Sequence, residues 1–342
     1  MIAASWRARH DQLRLNTHRW VSHQPGLRMP RRFGAFPSRD DYVSYLAAYA
    51  ALLDLPIEFQ TQVSSIERGQ DSHWSVLAPN ETIVARNVVV ATGSDRVPLV
   101  PDWPGRDGFG GELIHAGRFR HANDYLGKRV LLVGAGNSAV DIGNCLAGVG
   151  VGAVWVSVRR GATIAPQYLL GLPSQLLAAS LAWLPTAWQD MNMTLASRIF
   201  LGDLSRFGWP KATQGPVTRQ AEDGVTVAVD NGFVAALRKG RMRIVAEVAS
   251  FDNATVVLRD GSRSQPDAVI CATGYRLGLA GLVGHLDVLD AHGRPVCNAQ
   301  RAANGAPGLW FFGQNASIHG NMNIRRREAR TLAAAIAARE RH

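Results

Sequence analysis

Residues 128–139, KRVLLVGAGNSA, restrict this chain more than any other stretch. An apolar run, Val130–Val133, enters Gly134-x-Gly136-x-x-Ala139, and a helix-like run from Val140 to Leu146 follows. Strand, tight turn and helix in that order are the setting in which a glycine fingerprint binds a dinucleotide. Gly134 permits the turn, Gly136 lets a pyrophosphate reach the backbone, and Ala139 lets the helix pack closely on its strand. Ala135, Asn137 and Ser138 complete the loop at the helix N-terminus, which receives the negative charge. The next strand, Ala153–Val158, ends at Arg159–Arg160. A site for NAD would place Asp or Glu there; an arginine suits a ribose 2′-phosphate and points to NADP(H). The competing reading is a glycine turn with no ligand. The fingerprint lies in mid-chain, and nothing like a second one opens the sequence.

With 342 residues, 46% of them hydrophobic, the chain can bury a sizeable core and is expected to form two domains. A net charge of +10 resembles a nucleic-acid signal, but three of the 37 basic residues are lysines and the arginines are scattered, so no nucleic-acid partner is expected. The densest run, Arg325–Arg327, reads as a solvated face of an amphipathic C-terminal helix. Cys145, Cys271 and Cys297 have no metal-ligand spacing. The first two read as buried small hydrophobes in a reducing cytoplasm. No signal-peptide core opens the chain, and the most apolar stretch, Leu176–Trp188, contains Pro185 and is too short to span a bilayer.

Along the chain, residues 40–53 have helical spacing, with Val43, Leu46, Ala47, Ala50 and Leu53 on one face and Asp40 or Asp41 as N-cap. A strand containing Ile57–Thr61 is expected next, then a meander of Val63–Arg68, Trp74–Ala78 and Thr82–Ala85. Residues 87–93, NVVVATG, read as a buried strand ending in a turn, and residues 166–210 as an irregular helical insertion. Short strands follow near 225–229, 241–249 and 254–258, then a second buried strand over 267–275, DAVICATGY. A last strand, Leu309–Phe312, ends at Gly313–Gln314 and leads to a helix over about 324–339. The ATG endings at 91–93 and 272–274 suggest two related dinucleotide-binding units.

Phe109-x-Gly111-x-x-x-His115-x-x-x-Phe119, just ahead of the fingerprint, matches the FxGxxxHxxx[YF] signature of flavin-containing monooxygenases. ATGY at 272–275 matches the second linker of that family, and residues 202–216 with Val229–Gly232 resemble its YUCCA-type members. The resemblance implies an α/β fold with two dinucleotide-binding domains: FAD-binding over 1–95 and 276–342, NADP-binding over 96–275. It implies FAD and NADP(H) as cofactors and O2 and a small organic molecule as partners, with no metal. NADPH would reduce FAD, and a flavin C4a-hydroperoxide would attack nitrogen, sulfur or a carbonyl carbon. By the same resemblance, Asn16 stands near the reactive edge of the flavin, its amide able to donate and accept; a plain turn asparagine is the alternative. Val63 would meet the FAD adenine. Ala91, Thr92 and Gly93 would pass close to the cofactor, as would Thr273 and Gly274, and Gly313 and Gln314 would face the flavin and ribityl region. His115 reads as a structural, NADP-organising residue rather than a general base. Trp183, Trp188 and Trp209, with Leu169–Leu177, line a core, an access path or a membrane-facing lip, core packing being the more common fate.

The family opens with its own GxGxxG, and this chain begins at MIAASWRARHDQLRLNT, downstream of that motif. A late start codon, a shortened gene or a unit supplied by another chain would each explain this. The expectation is an incomplete FAD domain with unpaired strand edges, poor FAD binding and a tendency to aggregate, which a yellow, monodisperse preparation would refute. Two other readings stay open: a non-catalytic NADP-binding remnant, and an NADPH-dependent flavin reductase or oxidase without oxygen insertion.

Overall fold

The structure, a computed structural model, describes residues 1–71, 73–296, 305–314 and 321–341. Its helices include α1 (Arg39–Leu52), α2 (Asn137–Gly148), α3 (Ser174–Ser180), α4 (Thr186–Leu201) and, near the C-terminus, α5 (Asn321–Arg339), with short helices at Ala4–Arg7, Pro216–Asp223, Phe233–Arg238 and Ala280–Val283. The strands that position the site are β1 (Val88–Val90), β2 (Glu112–His115), β3 (Arg129–Val133), β4 (Ala153–Ser157), β5 (Arg243–Val245), β6 (Ala268–Cys271) and β7 (Leu309–Phe311).

Five of these form one parallel sheet in the order β5-β4-β3-β6-β2. The runs of Val, Leu and Ile in the central strands β3 and β6 are buried on both faces, as a parallel sheet covered on two sides requires. Side chains alternate across the sheet. Val130, Leu132 and Ile270 pack with α2 and with Phe233 and Val234 of a short helix. Leu131, Val133, Val269 and Cys271 face a three-stranded antiparallel sheet built from 248–252, 255–258 and 263–264. Burial drives the thiols of Cys271 and Cys145 up to about 12, and both cysteines are free. Cys297 lies outside the described residues.

A second, smaller unit joins β1 and β7 in parallel, with Val88 opposite Leu309 and Val90 opposite Phe311. A meander, Ser65–Arg68, Trp74–Ala78 and Glu81–Ala85, packs on it through Ile66 and Trp74. Among the described residues β1 and β7 pair only with each other. Of β1 only Val90 is buried, against the expectation of a wholly buried strand.

Several expectations need correction. Residues 57–61 form no strand: Ile57 and Phe59 are exposed and lack a pairing neighbour. The cap of α1 is Ser38, two or three residues earlier than the expected Asp40 or Asp41. Its hydroxyl accepts from the Asp41 N–H while the Asp41 carboxylate accepts from the Ser38 N–H, a reciprocal capping box. Tyr42 and Tyr45 supply much of the buried face, and Leu53 is exposed. The arginines of α5 are only partly solvated: Arg325 donates to the Gly313 carbonyl and Arg326 to His23 and Asn323. Residues 166–210 hold a two-stranded hairpin, Tyr168–Leu169 with Leu172–Pro173, followed by α3, α4 and short turns. Of its tryptophans, Trp209 is core, only 4% exposed, whereas Trp183 and Trp188 stand in solvent.

Candidate active site

Strand register brings the site together. Val133 lies opposite both Ser157 and Cys271, and Cys271 opposite His115, so β2, β3, β4 and β6 end at one level. The segments that leave these ends carry the fingerprint, Arg159, the 272–274 corner and His115. Ligands of open α/β sheets bind at this carboxyl edge.

The fingerprint turn fits a dinucleotide phosphate. Gly134 has φ 136°, closed to most side chains, and its N–H donates to the Ser157 carbonyl at 3.0 Å. A Cβ there would overlap the Ala272 carbonyl oxygen and come within 2.9 Å of its carbon. Gly136, the N-cap of α2, has open space where its Cβ would be, the room a pyrophosphate needs. Ala135, Asn137 and Ser138 are half-buried around it, and Ala139 is buried against the sheet. Gly143, one turn further on, is also tightly packed: a Cβ would stand 2.9 Å from the Phe233 ring.

The two ATG corners are joined. The Gly274 carbonyl accepts the Leu99 N–H at 3.0 Å, the Thr273 hydroxyl donates to the Leu99 carbonyl, and Tyr275–Arg276 pairs antiparallel with Val97–Pro98. Segment 97–99 directly follows the first corner, where Ala91 and Thr92 are exposed and Gly93 takes φ 77°. His115 holds this junction: its Nδ1 accepts the Gly117 N–H at 3.0 Å, so Nε2 carries the proton and donates to the Gly274 carbonyl at 2.9 Å. Burial lowers the His115 pKa, in keeping with the neutral ring. Arg9 spans the same junction, reaching the Tyr275 hydroxyl at 3.0 Å and Asp95 at 2.8 Å.

Asn16 lies against the fingerprint helix. Its amide donates to Asn137 Oδ1 at 2.9 Å and stands close enough to the Asp141 carboxyl, one turn further along α2, to favour its charged form. Asn137 in turn accepts the Val229 N–H at 3.1 Å and donates to the Val227 carbonyl at 3.0 Å. Asn231 donates to Asp141 Oδ1 at 2.9 Å. Burial raises the Asp141 pKa to about 7 despite these two amides. One polar cluster thus ties the N-terminal segment, the fingerprint and residues 227–231.

Arg159 is largely exposed at the end of β4, 3.9 Å from Glu247, which also pairs with Arg259 at 2.8 Å. Ser157 is buried, its hydroxyl donating to the Ala246 carbonyl at 2.8 Å. Ser157 is therefore turned away from any 2′-phosphate. Arg159→Ala is expected to weaken NADPH roughly tenfold or more while sparing NADH, from the ~1.5–3 kcal/mol of one charge-assisted bond. Fluorescence titration with both nucleotides checks this, and equal losses would move the contact to Arg160.

On the smaller unit, Gly313 and Gln314 leave β7 at the same end as Ala91 leaves β1. The Gln314 amide is buried and donates to the Val90 carbonyl at 2.7 Å, so it stitches the two strands there. Val63 is half-buried against the meander core. His10, Glu247 and Arg259 carry no local sequence signal, Asn231 lies in the Val229–Gly232 stretch without a role read from it, and Asp141 has a single clue. That clue is the Asn137–Asp141 interval, one helical turn.

A family model described as pyridine nucleotide-disulphide oxidoreductase matches residues 20–167. The chain is 33% identical over 281 residues to indole-3-pyruvate monooxygenase YUCCA1 of Oryza sativa subsp. japonica, covering 80% of this chain and 68% of that protein. It is 29% identical over 324 residues to the probable indole-3-pyruvate monooxygenase YUCCA3 of Arabidopsis thaliana, covering 91% and 74%. Among solved structures, a flavin-containing monooxygenase from Stenotrophomonas maltophilia superposes with TM-score 0.72 at 21% identity, covering 98% of this chain and 87% of that one. Cyclohexanone monooxygenase from Rhodococcus sp. Phi1 bound to NADP+ superposes at 0.67 and 17%, covering 97% and 77%. These two confirm the expected α/β fold with two dinucleotide-binding domains. With a fingerprint seated against the second of two joined corners and these relatives, the chain belongs to the flavin-containing monooxygenase family.

Proposed function

We propose that this chain uses FAD and NADPH to place one oxygen atom of O2 on a small organic substrate, with 2-oxo acids as the first class to test. The choice of substrate class rests on the relatives named for indole-3-pyruvate. The observation that carries the redox reading is the contact of the Gly134 turn with Ala272, in a corner whose Gly274 is bonded to the segment leaving the other. Residues 96–275 form the NADP(H) side, and residues 1–95 with 276–342 the flavin side. Bound FAD supplies a two-electron carrier that reacts with O2.

The remaining work falls to this chain's own groups. Gly134–Ala139 hold the diphosphate through backbone N–H groups, and Arg159 takes the 2′-phosphate. Asn16 places a neutral amide, fixed by Asn137 and Asp141, at the mouth of the fingerprint, where it can donate to an oxygen or accept from the nicotinamide amide. Ala91–Gly93, Thr273, Gly274, Gly313 and Gln314 form the backbone rim on the flavin side, and Val63 the adenine end. The free thiols of Cys145 and Cys271 suit a reducing cytoplasm, where we place the protein.

The deciding experiment supplies FAD, NADPH, indole-3-pyruvate and 18O2 and counts labelled product per NADPH consumed. Labelled product in proportion to NADPH is expected. NADPH oxidation that yields hydrogen peroxide alone, across a panel of 2-oxo acids, ketones, amines and sulfides, would overturn oxygen insertion.

A further inference from the structure

The lobe that carries α3 and α4 presents an unusual surface. Between Gly161 and Ser197 the sequence contains no Lys, Arg, His or Glu and a single Asp, Asp190. That carboxylate is turned inward, accepting the Val217 N–H and the Thr218 hydroxyl at 2.6 Å each. The outer surface of the whole stretch therefore bears no charged side chain. On α4, Trp188, Met191, Leu195 and Ile199 recur at the helical period and stand along one side of the helix. All four are at least half exposed, Trp188 at 57% and Ile199 at 66%. Trp183 precedes them at 79%, and Gln189 and Leu201 are turned inward, where α4 meets helix Pro216–Asp223 and strand Ile164–Pro166.

Such a stripe is not a core element left in solvent by accident: its own buried side is already occupied. Exposed Arg198 and Arg206, with the exposed Asp203 between them, leave a net positive charge at the C-terminal end of the stripe, and the protein as a whole carries +10. Two such cations repel one another, whereas an anionic lipid surface attracts each of them. Tryptophan prefers the boundary between headgroups and acyl chains. Among the described residues no helix is long and apolar enough to cross a membrane, so the matching geometry is a helix lying in the interface plane.

We propose that the exposed face of α4, with Trp183, docks this protein onto an anionic membrane surface. The full-length protein is sedimented with vesicles of equimolar phosphatidylcholine and phosphatidylglycerol, and with vesicles of phosphatidylcholine alone. Binding to the anionic vesicles, weakened by salt, is expected, with quenching of wild-type tryptophan fluorescence by brominated acyl chains. The double variant Trp188→Asn/Ile199→Asn should bind roughly tenfold more weakly or worse. Its thermal unfolding and NADPH affinity should match wild type, since neither side chain is buried. Absence of wild-type binding to either vesicle would overturn the proposal, as would binding without tryptophan quenching. A concentration-dependent dimer of the wild type, lost in the double variant, would overturn it in favour of a second copy of this chain.

Discussion

Gly134→Ala is expected to abolish NADPH binding and to lower the Tm by roughly 5–10 °C, the scale of a loss of about 3 kcal/mol. Two effects add at this position. At φ 136° any side chain is strained, and the new methyl overlaps the Ala272 carbonyl oxygen, which is held in β-sheet continuation by its N–H bond to the Val133 carbonyl. The turn and the 272–274 corner cannot both keep their places. Gly136→Ala provides the contrast. Its φ of −90° suits alanine and nothing lies within 4 Å of the new atom, so the Tm should stay near wild type. The methyl instead occupies the space over the helix N-terminus, and NADPH affinity should fall. Differential scanning fluorimetry and nucleotide titration on both variants separate the outcomes. Equal stability of the two proteins would contradict the close approach of Gly134 to Ala272.

The second large effect concerns Asp141. Its folded pKa, raised by burial to about 7, stands far above the unfolded value. Between about pH 4 and pH 7 the native state therefore holds a proton that the unfolded chain has released, and stability is lost as pH rises through this window. The loss attributable to this one group is on the order of 4 kcal/mol. His10 acts in the opposite direction. Burial lowers its pKa to about 4, and its Nδ1 has no hydrogen-bond partner among the described residues. The native state refuses a proton that the unfolded chain takes up, so this contribution is present above the unfolded pKa and is lost as pH falls toward 4. In wild type the two slopes offset one another. Asp141→Asn removes only the first, and the variant should gain stability with rising pH, relative to wild type, by on the order of 4 kcal/mol across the window. Urea unfolding at a series of pH values measures the difference. Parallel profiles for the two proteins would mean that Asp141 titrates normally. Asn16 gives a second readout: if Asp141 orients its amide, Asp141→Asn should alter kcat more than the KM for NADPH.

The parts of this protein that are written locally were legible in its sequence. A turn such as 134–136 needs glycine for reasons of backbone geometry and close approach, which act within a few residues. The strand, turn and helix around it, the meander and the ATG corners follow from short-range patterns of the same kind. Residues 57–61 show the limit: Ile and Phe in an extended pattern make a strand only when a neighbour offers its hydrogen bonds, and none does here. Burial is non-local in the same way. Trp209 and Trp188 are the same side chain in the same insertion, yet one is packed on Phe233 and the other faces outward. Asp141 and Asn16 are separated by more than a hundred residues, and only the folding of the N-terminal segment onto α2 brings them together. The sequence by itself determined the glycine turn and the succession of strand, turn and helix around it, because those depend on local backbone and side-chain preferences. The tertiary structure alone decided which polar groups lose water and which apolar ones keep it, because desolvation depends on what distant segments bring to the same place.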